Sequence, residues 1–221
     1  MDFYLQKDTE YFRNTRTDLI SLIPNNPKNR ILEIGAGGGY TLIEIKKRNL
    51  AVELVGVELI KSDNAHQEDP LIDKFIICNV ETEKIDLPTS YFDVILLGDV
   101  LEHLLDPWSF LHKISAHLKP NGLFIASVPN IRHYSAINNI IFKGDFQYQN
   151  QGLFDRTHYR FFCKKNIRAM FNTSAFTCEK IFPIERLFKG KSTAKFLNSI
   201  TFGLFEQFLT IQYIVVSKKN G

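Results

Sequence analysis

The sequence contains few cysteines, and neither charge is in large excess. Its 221 residues include only three cysteines, an odd number without the close pairs of a metal site: Cys78, Cys163 and Cys178. We therefore expect reduced thiols and a cytoplasmic protein rather than a disulfide framework. The formal net charge is only +3, and the basic residues are spread along the chain. This distribution argues against the concentrated basic surface of nucleic-acid-binding proteins, so we expect no nucleic-acid partner.

Long hydrophobic runs are scarce as well. Only residues 196–217 raise the question of a membrane span, because Glu206 is their sole charged residue. Polar side chains such as Asn198 and Gln207 interrupt this stretch, which favours a helix followed by a strand. We expect no transmembrane helix and leave peripheral contact with a membrane open. The length predicts a single domain over residues 1–221, and it leaves the oligomeric state unpredicted.

Short apolar strands alternate with helical segments along most of the chain. This alternation predicts an α/β fold with a mostly parallel, doubly wound sheet. The predicted strands are 31–34, 52–58, 75–78, 92–97, 123–128, 177–182 and 210–217. Four predicted helices are 9–23, 40–49, 164–172 and 194–208. A fifth runs from the end of the fourth strand to Leu118, and Lys119–Gly122 close it.

A glycine-rich turn directly follows the first strand. Gly35, Gly37 and Gly39 occupy alternate positions after Ile34. Alternate glycines permit positive φ angles and allow backbone N–H groups to approach a ligand closely, as nucleotide-binding turns require. A dinucleotide fingerprint needs a further glycine where this chain has Tyr40. The turn therefore predicts a nucleotide site of another kind.

The pattern Glu33-x-Gly35-x-Gly37-x-Gly39 resembles motif I of the class I S-adenosylmethionine (SAM) methyltransferases. Later elements extend the resemblance, including Phe92–Asp99 for the family's fourth strand and Leu118–Gly122 for its turn before the fifth. The resemblance implies a seven-stranded Rossmann-like fold, SAM as the cofactor and transfer of its methyl group. The residues it implies for cofactor binding are Glu33, Gly35, Gly37, Gly39, Glu58, Asn79 and Asp99.

Two of these residues have specific expected roles. Glu58 ends the second strand, 19 residues after Gly39, where a carboxylate can accept both ribose hydroxyl protons. Asn79 ends the third strand, where many members of the family carry an Asp facing the adenine amino group. The side-chain oxygen of Asn can still accept a hydrogen bond from that amine.

A narrower resemblance concerns the acceptor. Ser127–Asn130 and Leu153–Phe162 resemble a bacterial subgroup that accompanies enzymes of surface-polysaccharide and glycan biosynthesis. It implies a small-molecule acceptor, a sugar hydroxyl of a glycan precursor. The alternatives are a small-metabolite O- or N-methyltransferase and a non-catalytic SAM-binding partner protein.

The segment Asp99–Leu104 holds the candidate catalytic residues. Helical spacing would place Asp99, Glu102 and His103 on one face, and His158 could meet them across the cleft. In the favoured hypothesis His103 or His158 is the general base, oriented by Asp99 or Glu102. A second hypothesis has these four residues bind a divalent cation, because the pattern resembles the Glu-x-x-Glu-His of metal-dependent small-RNA and ubiquinone-pathway O-methyltransferases. In the third, Asp99 contacts SAM, Glu102 forms a surface ion pair and His103 only packs.

Two further segments are expected to cover the site. Residues 130–162 are rich in aromatic residues, and we interpret them as a substrate cap over the carboxyl edge of the sheet. The alternative is an extra packing layer. The N-terminal helix, with Tyr11 and Arg16, could form a lid over the cofactor.

Overall fold

The computed structural model describes residues 13–62, 65–185, 196 and 198–221. Seven strands form one sheet in the order β3-β2-β1-β4-β5-β7-β6. The strands are β1 (Arg30–Ile34), β2 (Glu53–Glu58), β3 (Lys74–Ile77), β4 (Phe92–Gly98), β5 (Leu118–Pro129), β6 (Phe176–Glu185) and β7 (Thr210–Lys219). The first five are mutually parallel, and β7 is antiparallel to both β5 and β6. The predicted mostly parallel α/β sheet is therefore confirmed.

The strand order reverses direction at β1. This strand pairs with β2 on one side and with β4 on the other, so the chain leaves it toward opposite edges of the sheet. The connections after these strands then cover opposite faces and leave a crevice at their carboxyl ends. Such a switch point is where α/β sheets bind ligands.

Apolar side chains on both faces of the sheet form the core. In β4, Ile95 and Leu97 belong to one buried cluster, whereas Val94 and Leu96 belong to the other. Successive strand residues point to opposite faces, so a strand covered on both sides is apolar throughout. The helices of the described residues include α1 (Thr17–Ile20), α2 (Tyr40–Lys47), α3 (Pro107–Ile114), α4 (Tyr134–Ile137), α5 (Lys164–Met170) and α6 (Glu206–Leu209).

The segment after β4 differs from the prediction. Asp99 has a φ of +57°, and only Leu101–His103 form a 3-10 turn before α3 begins at Pro107. The side chain of Asp106 accepts a hydrogen bond from the Ser109 N–H at 3.1 Å and caps that helix. The prediction that Asp99 shares a helical face with Glu102 and His103 is therefore wrong. Lys119–Gly122 lie within β5 and do not close a helix.

Two other predicted helices are only partly described. Residues 1–12 lie outside the described residues, and α1 is the part of the predicted helix 9–23 that the structure places as helix. Residues 186–195 and 197 also lie outside them, whereas 196 and 198–200 are helical. The predicted helix 194–208 does not continue unbroken to α6, because Phe202 and Gly203 adopt positive φ angles of +51° and +80°.

The membrane question is answered for the described part of the chain. None of its helices is both long enough and apolar enough to cross a bilayer.

Candidate active site

A cavity of about 780 Å³ opens at the carboxyl ends of β1, β2, β3 and β4, at the switch point of the sheet. Segments far apart in the sequence form its walls. One wall is the glycine turn after β1, and another is the turn after β4. Its polar and glycine lining includes Arg13, Arg16, Glu33, Gly35, Gly37, Glu58, Asn79, Glu81, Asp99, His103, Arg156, Thr157 and Tyr159.

The glycine turn brings the backbone close to the turn after β4. Gly35 has a φ of +69°, and a Cβ atom there would lie 2.5 Å from Cγ2 of Val100. Only glycine can adopt this positive φ angle and lie this close to Val100 without strain. Gly35 and Gly37 line the cavity, whereas Gly39 lies behind it at the N-cap of α2, facing Ile72 and the backbone of His66.

Glu58 lies across this turn and is only 3% exposed. Its Oε2 accepts a hydrogen bond from the Gly37 N–H at 2.8 Å, and its Oε1 accepts one from the Leu59 N–H at 2.6 Å. These bonds fix the carboxylate at the end of β2. Because each carboxylate oxygen has two lone pairs, Glu58 can still accept further hydrogen bonds.

Asn79 lies next to Glu58 on the cavity wall. Its Oδ1 accepts a hydrogen bond from the Glu81 N–H at 2.9 Å, and its own N–H donates to a carboxylate oxygen of Glu83 at 2.7 Å. The first of these bonds forms an Asx turn that orients the Asn79 side chain, and the second fixes its backbone.

Glu33 is a buried carboxyl group on the floor of the cavity, 3% exposed. Among the described residues, its Oε2 has no hydrogen-bond partner. Burial raises its pKa from 4.5 to about 8. The positive charge of Arg16 lowers this pKa, and the negative charge of Glu58 raises it further. Glu33 is therefore mostly protonated at neutral pH.

Asp99 is tightly held by three side chains. Arg16 Nη1 donates to its Oδ2 at 2.6 Å, and Ser127 Oγ donates to its Oδ1 at 3.1 Å. Gln212 also donates to Oδ1. The sequence offered Arg16 only as part of a lid, and no spacing signal connects two residues that are 83 positions apart.

Glu102, His103 and His158 form a cluster behind this part of the cavity. One ligand atom from each lies within 4.8 Å of the others, and the two imidazole centroids are 4.7 Å apart. The structure thus brings His158 to Glu102 and His103, as the sequence predicts. Of the three, only His103 lines the cavity.

Glu102 is buried, with 1% of its surface exposed, and so is not the surface residue of the third hypothesis. Neither of its carboxylate oxygens has a hydrogen-bond partner in the part of the chain that the structure describes. Burial first, and the charge of Asp99 second, raise its pKa well above the usual value. An orphaned buried carboxyl group is costly, which marks it as a functional candidate.

Backbone carbonyls hold both imidazole rings. The Nδ1 atom of His103 lies 3.0 Å from the Thr157 oxygen, and that of His158 lies 3.3 Å from the Leu153 oxygen. A carbonyl oxygen can only accept, so each Nδ1 must carry a proton. In the neutral rings the lone pair is then on Nε2.

The segment 153–160 is joined to the turn after β4 by further backbone bonds. The N–H groups of Tyr159 and Arg160 donate to the Glu102 oxygen at 2.8 and 3.1 Å. Nε of Arg160 donates to the Leu105 oxygen at 2.9 Å. Of the aromatic residues in the expected cap, Tyr159 lines the cavity, whereas Phe154 and Phe162 are buried.

The chain is similar in sequence to a known protein family and to two named enzymes. A family model described as "Methyltransferase domain" matches residues 6–181. A mitochondrial ubiquinone biosynthesis O-methyltransferase of Homo sapiens is 32% identical over 128 residues, which cover 51% of this chain and 34% of that protein. A ubiquinone biosynthesis O-methyltransferase of Bradyrhizobium diazoefficiens is 33% identical over 105 residues, which cover 46% of this chain and 40% of that protein. The match thus spans well under half the length of these two relatives.

Solved structures share the fold over almost the whole chain. A SAM-dependent methyltransferase of Archaeoglobus fulgidus superposes with a TM-score of 0.65 at 18% identity, covering 95% of this chain and 97% of that one. A Haloferax volcanii structure containing the Trm112 methyltransferase activator matches with a TM-score of 0.64 at 14% identity, covering 96% and 92%. At these identities the likeness establishes the Rossmann-like fold alone.

Proposed function

The chain belongs to the methyltransferase-domain family of SAM-dependent enzymes, and on that premise we propose that it transfers a methyl group from SAM to a hydroxyl oxygen of a small acceptor. One observation carries this proposal: a single cavity joins the glycine turn and Glu58 to His103. A methyl donor bound at the glycine turn and Glu58 would lie in the same cavity as His103, a side chain that can accept a proton.

The cofactor half of the cavity fits SAM in shape and charge. At Gly35 the backbone lies so close to Val100 that a Cβ atom would clash with it. Glu58 can accept hydrogen bonds from the ribose hydroxyl groups. Arg16 and Asp99 offer opposite charges at the end of β4, which suits a group bearing both an ammonium and a carboxylate. SAM supplies the activated methyl carbon when bound, so the protein must orient the acceptor and manage its proton.

In the favoured mechanism His103 is the general base. It lines the cavity, and its Nδ1–H donates to Thr157, so the Nε2 lone pair can accept the proton of the acceptor hydroxyl. The ring of His158 packs against it edge to face, with centroids 4.7 Å apart. Glu102 lies nearby, but neither of its carboxylate oxygens bonds a histidine among the described residues, so the expected orientation of the base by Glu102 is not seen. Asp99 does not orient His103, because its carboxylate is engaged by Arg16, Ser127 and Gln212.

Variants of the two histidines test the base. His103→Ala should lower the rate of methyl transfer about 10²–10⁴-fold while the affinity for S-adenosylhomocysteine stays unchanged. His112→Ala, on the exposed side of α3, serves as the matched control. The measurement is transfer of radiolabelled methyl from SAM. Wild-type rates in both His103→Ala and His158→Ala would rule out a role for the cluster.

The cluster also supports a second mechanism, in which a divalent cation lowers the pKa of the acceptor hydroxyl. Glu102, His103 and His158 together offer one carboxylate oxygen and two imidazole nitrogens, a donor set suited to transition metals. The hydrogen bonds of Nδ1 to backbone carbonyls are the usual support for metal-binding imidazoles. Asp99 falls outside this set because of its ion pair with Arg16.

Chelation separates the two mechanisms. If a metal takes part, treatment with a chelator should abolish turnover, and Mn²⁺ or Zn²⁺ should restore it. If His103 is the base, the rate should survive chelation, and added metal should inhibit by occupying the same lone pairs.

The proposed acceptor is a small molecule that carries a hydroxyl group. The names of the two relatives favour oxygen as the methylated atom. The sugar acceptor expected from the sequence has no counterpart in those names. A phenolic acceptor and a nucleotide-linked sugar should therefore be assayed side by side, with an amine as the test for N-methylation. Binding of SAM without transfer to any of them would favour the non-catalytic alternative.

We also propose that residues 1–221 act as one domain and that 130–162 serve as the acceptor cap. Support comes from Arg156, Thr157 and Tyr159, which line the cavity from that segment.

A further inference from the structure

A short turn beneath the cavity connects a buried acid to the catalytic cluster. Asp155 is 2% exposed and does not line the cavity. Its Oδ1 accepts hydrogen bonds from the Thr157 N–H at 2.9 Å and the Thr157 hydroxyl at 2.6 Å. Its backbone oxygen accepts the His158 N–H at 2.9 Å. The carboxylate thus holds Thr157, and the backbone oxygen of Asp155 holds the peptide unit that joins Thr157 to His158.

The turn acts on His103 through a single atom. The backbone oxygen of Thr157 accepts the Nδ1–H of His103 at 3.0 Å. This carbonyl belongs to the peptide unit that joins Thr157 to His158, and the Asp155 carboxylate holds the other side of Thr157 through its N–H and hydroxyl groups. The chain of contacts therefore runs from Asp155 to Thr157 and then to the imidazole ring.

We propose that Asp155 is a positioning residue that sets the tautomer of His103. The inference rests on the proposed function, because a defined tautomer matters only if His103 acts through Nε2. With the Thr157 carbonyl in place, the neutral ring keeps its proton on Nδ1 and its lone pair on Nε2. Without it, the ring is released toward the Nε2–H tautomer that a free histidine side chain prefers. That tautomer can neither take a proton at Nε2 nor ligate a metal there.

A carboxylate buried merely to brace a loop would leave the tautomer unchanged once the protein is folded. A spectroscopic measurement of the His103 tautomer, in addition to the rate of methyl transfer, therefore distinguishes a positioning residue from a brace. Long-range ¹H–¹⁵N correlation spectra of ¹⁵N-histidine-labelled protein distinguish the two tautomers of each ring. They should be recorded with S-adenosylhomocysteine bound, so that the cofactor site is in a single state.

Four proteins make up the experiment. The wild type should show His103 as Nδ1–H. Asp155→Ala should convert it largely to Nε2–H and lower the rate of methyl transfer about 10–100-fold. Asp155→Asn should restore the wild-type spectrum, because its amide oxygen can still accept from Thr157. Asp145→Ala removes an equivalent bond from the Gln147 N–H to Asp145, at 2.9 Å in an exposed turn, and should change nothing at His103.

Each outcome bears on a different claim. An Nδ1–H signal for His103 in folded Asp155→Ala would overturn the inference while leaving the proposed function intact. If that variant does not fold, Thr157→Val removes one of the two bonds and should give a mixture of tautomers, and an unchanged spectrum would overturn the inference. Failure of every protein to bind S-adenosylhomocysteine would instead contradict the proposed function.

Discussion

The carboxyl groups around the cavity differ in what surrounds them. Backbone N–H groups bind Glu58, and a guanidinium group binds Asp99. Burial raises the pKa of Asp99, and the charge of Arg16 opposes this shift. Glu33 and Glu102 are buried, with at least one carboxyl oxygen lacking a partner among the described residues. Burial favours their neutral forms.

Glu33 should make the stability of the protein depend on pH. Its pKa is about 8 in the folded protein and 4.5 without the fold, so the folded state keeps a proton that the unfolded state loses. The free energy of unfolding should therefore fall as the pH rises from about 4.5 to 8. At about 1.4 kcal/mol per pKa unit, the upper limit of this effect is roughly 5 kcal/mol.

Glu33→Gln isolates this contribution, because an amide does not titrate. The variant should be about as stable as the wild type at pH 4.5 and more stable at pH 8, as measured by urea unfolding without ligand. A difference between the two proteins that stays constant with pH would show that Glu33 is ionised in the folded state.

Sequence reasoning located residues that follow strands better than residues that meet across the fold. Glu58 and Asn79 could be placed at the cavity because parallel strands end at a common edge. The ion pair between Arg16 and Asp99 could not, since its partners come from segments with no shared pattern. His158 is a candidate from the sequence only because it lies within the expected cap segment, where a histidine can reach the site.

Among the local structural elements, the glycine turn after β1 imposes the strictest backbone requirement. Gly35→Ala should strain the backbone by about 1–2 kcal/mol and also drive a methyl group into Val100. The affinity for S-adenosylhomocysteine should fall together with the melting temperature. Gly144→Ala is the matched control, because Gly144 has a φ of +63° but no atom within 4 Å of an added Cβ.

Calorimetric titration and thermal melting of the two variants measure these effects. The control should lose stability from backbone strain and keep its affinity. Equal affinities in Gly35→Ala and the wild type would mean that the close approach at Gly35 is not needed for binding.

The elements themselves followed from the sequence to different degrees. Apolar runs gave β1, β2 and β4 to within one or two residues, because buried parallel strands read as continuous hydrophobic segments. The helix after β4 was placed too early, since apolar spacing does not reveal that Asp106 and Pro107 set its start. The 3-10 turn that precedes this helix nevertheless brings Glu102 and His103 to the cluster with His158.

At the scale of the whole molecule, the sheet topology accounts for the site. The reversal of strand order at β1 opens the crevice, and segment 153–160 is bonded onto the turn after β4 to form its far wall. The alternation of strands and helices predicts a mostly parallel, doubly wound sheet, and the structure confirms it. The attachment of segment 153–160 could not be predicted, because it depends on hydrogen bonds to backbone carbonyls, which any sequence possesses.

The central claim is that this cavity is a SAM site with Glu58 at its ribose end. Calorimetric titration of S-adenosylhomocysteine into the wild type, Glu58→Gln and Glu53→Gln tests it most directly. Glu53 lies at the other end of β2, bonded to the Tyr91 hydroxyl at 2.6 Å, and so provides the control. We predict one site per chain in the wild type and in Glu53→Gln, with affinity at least about tenfold weaker in Glu58→Gln, a loss of about 1.4 kcal/mol. No saturable binding by the wild type, or equal affinity in all three proteins, would contradict the account.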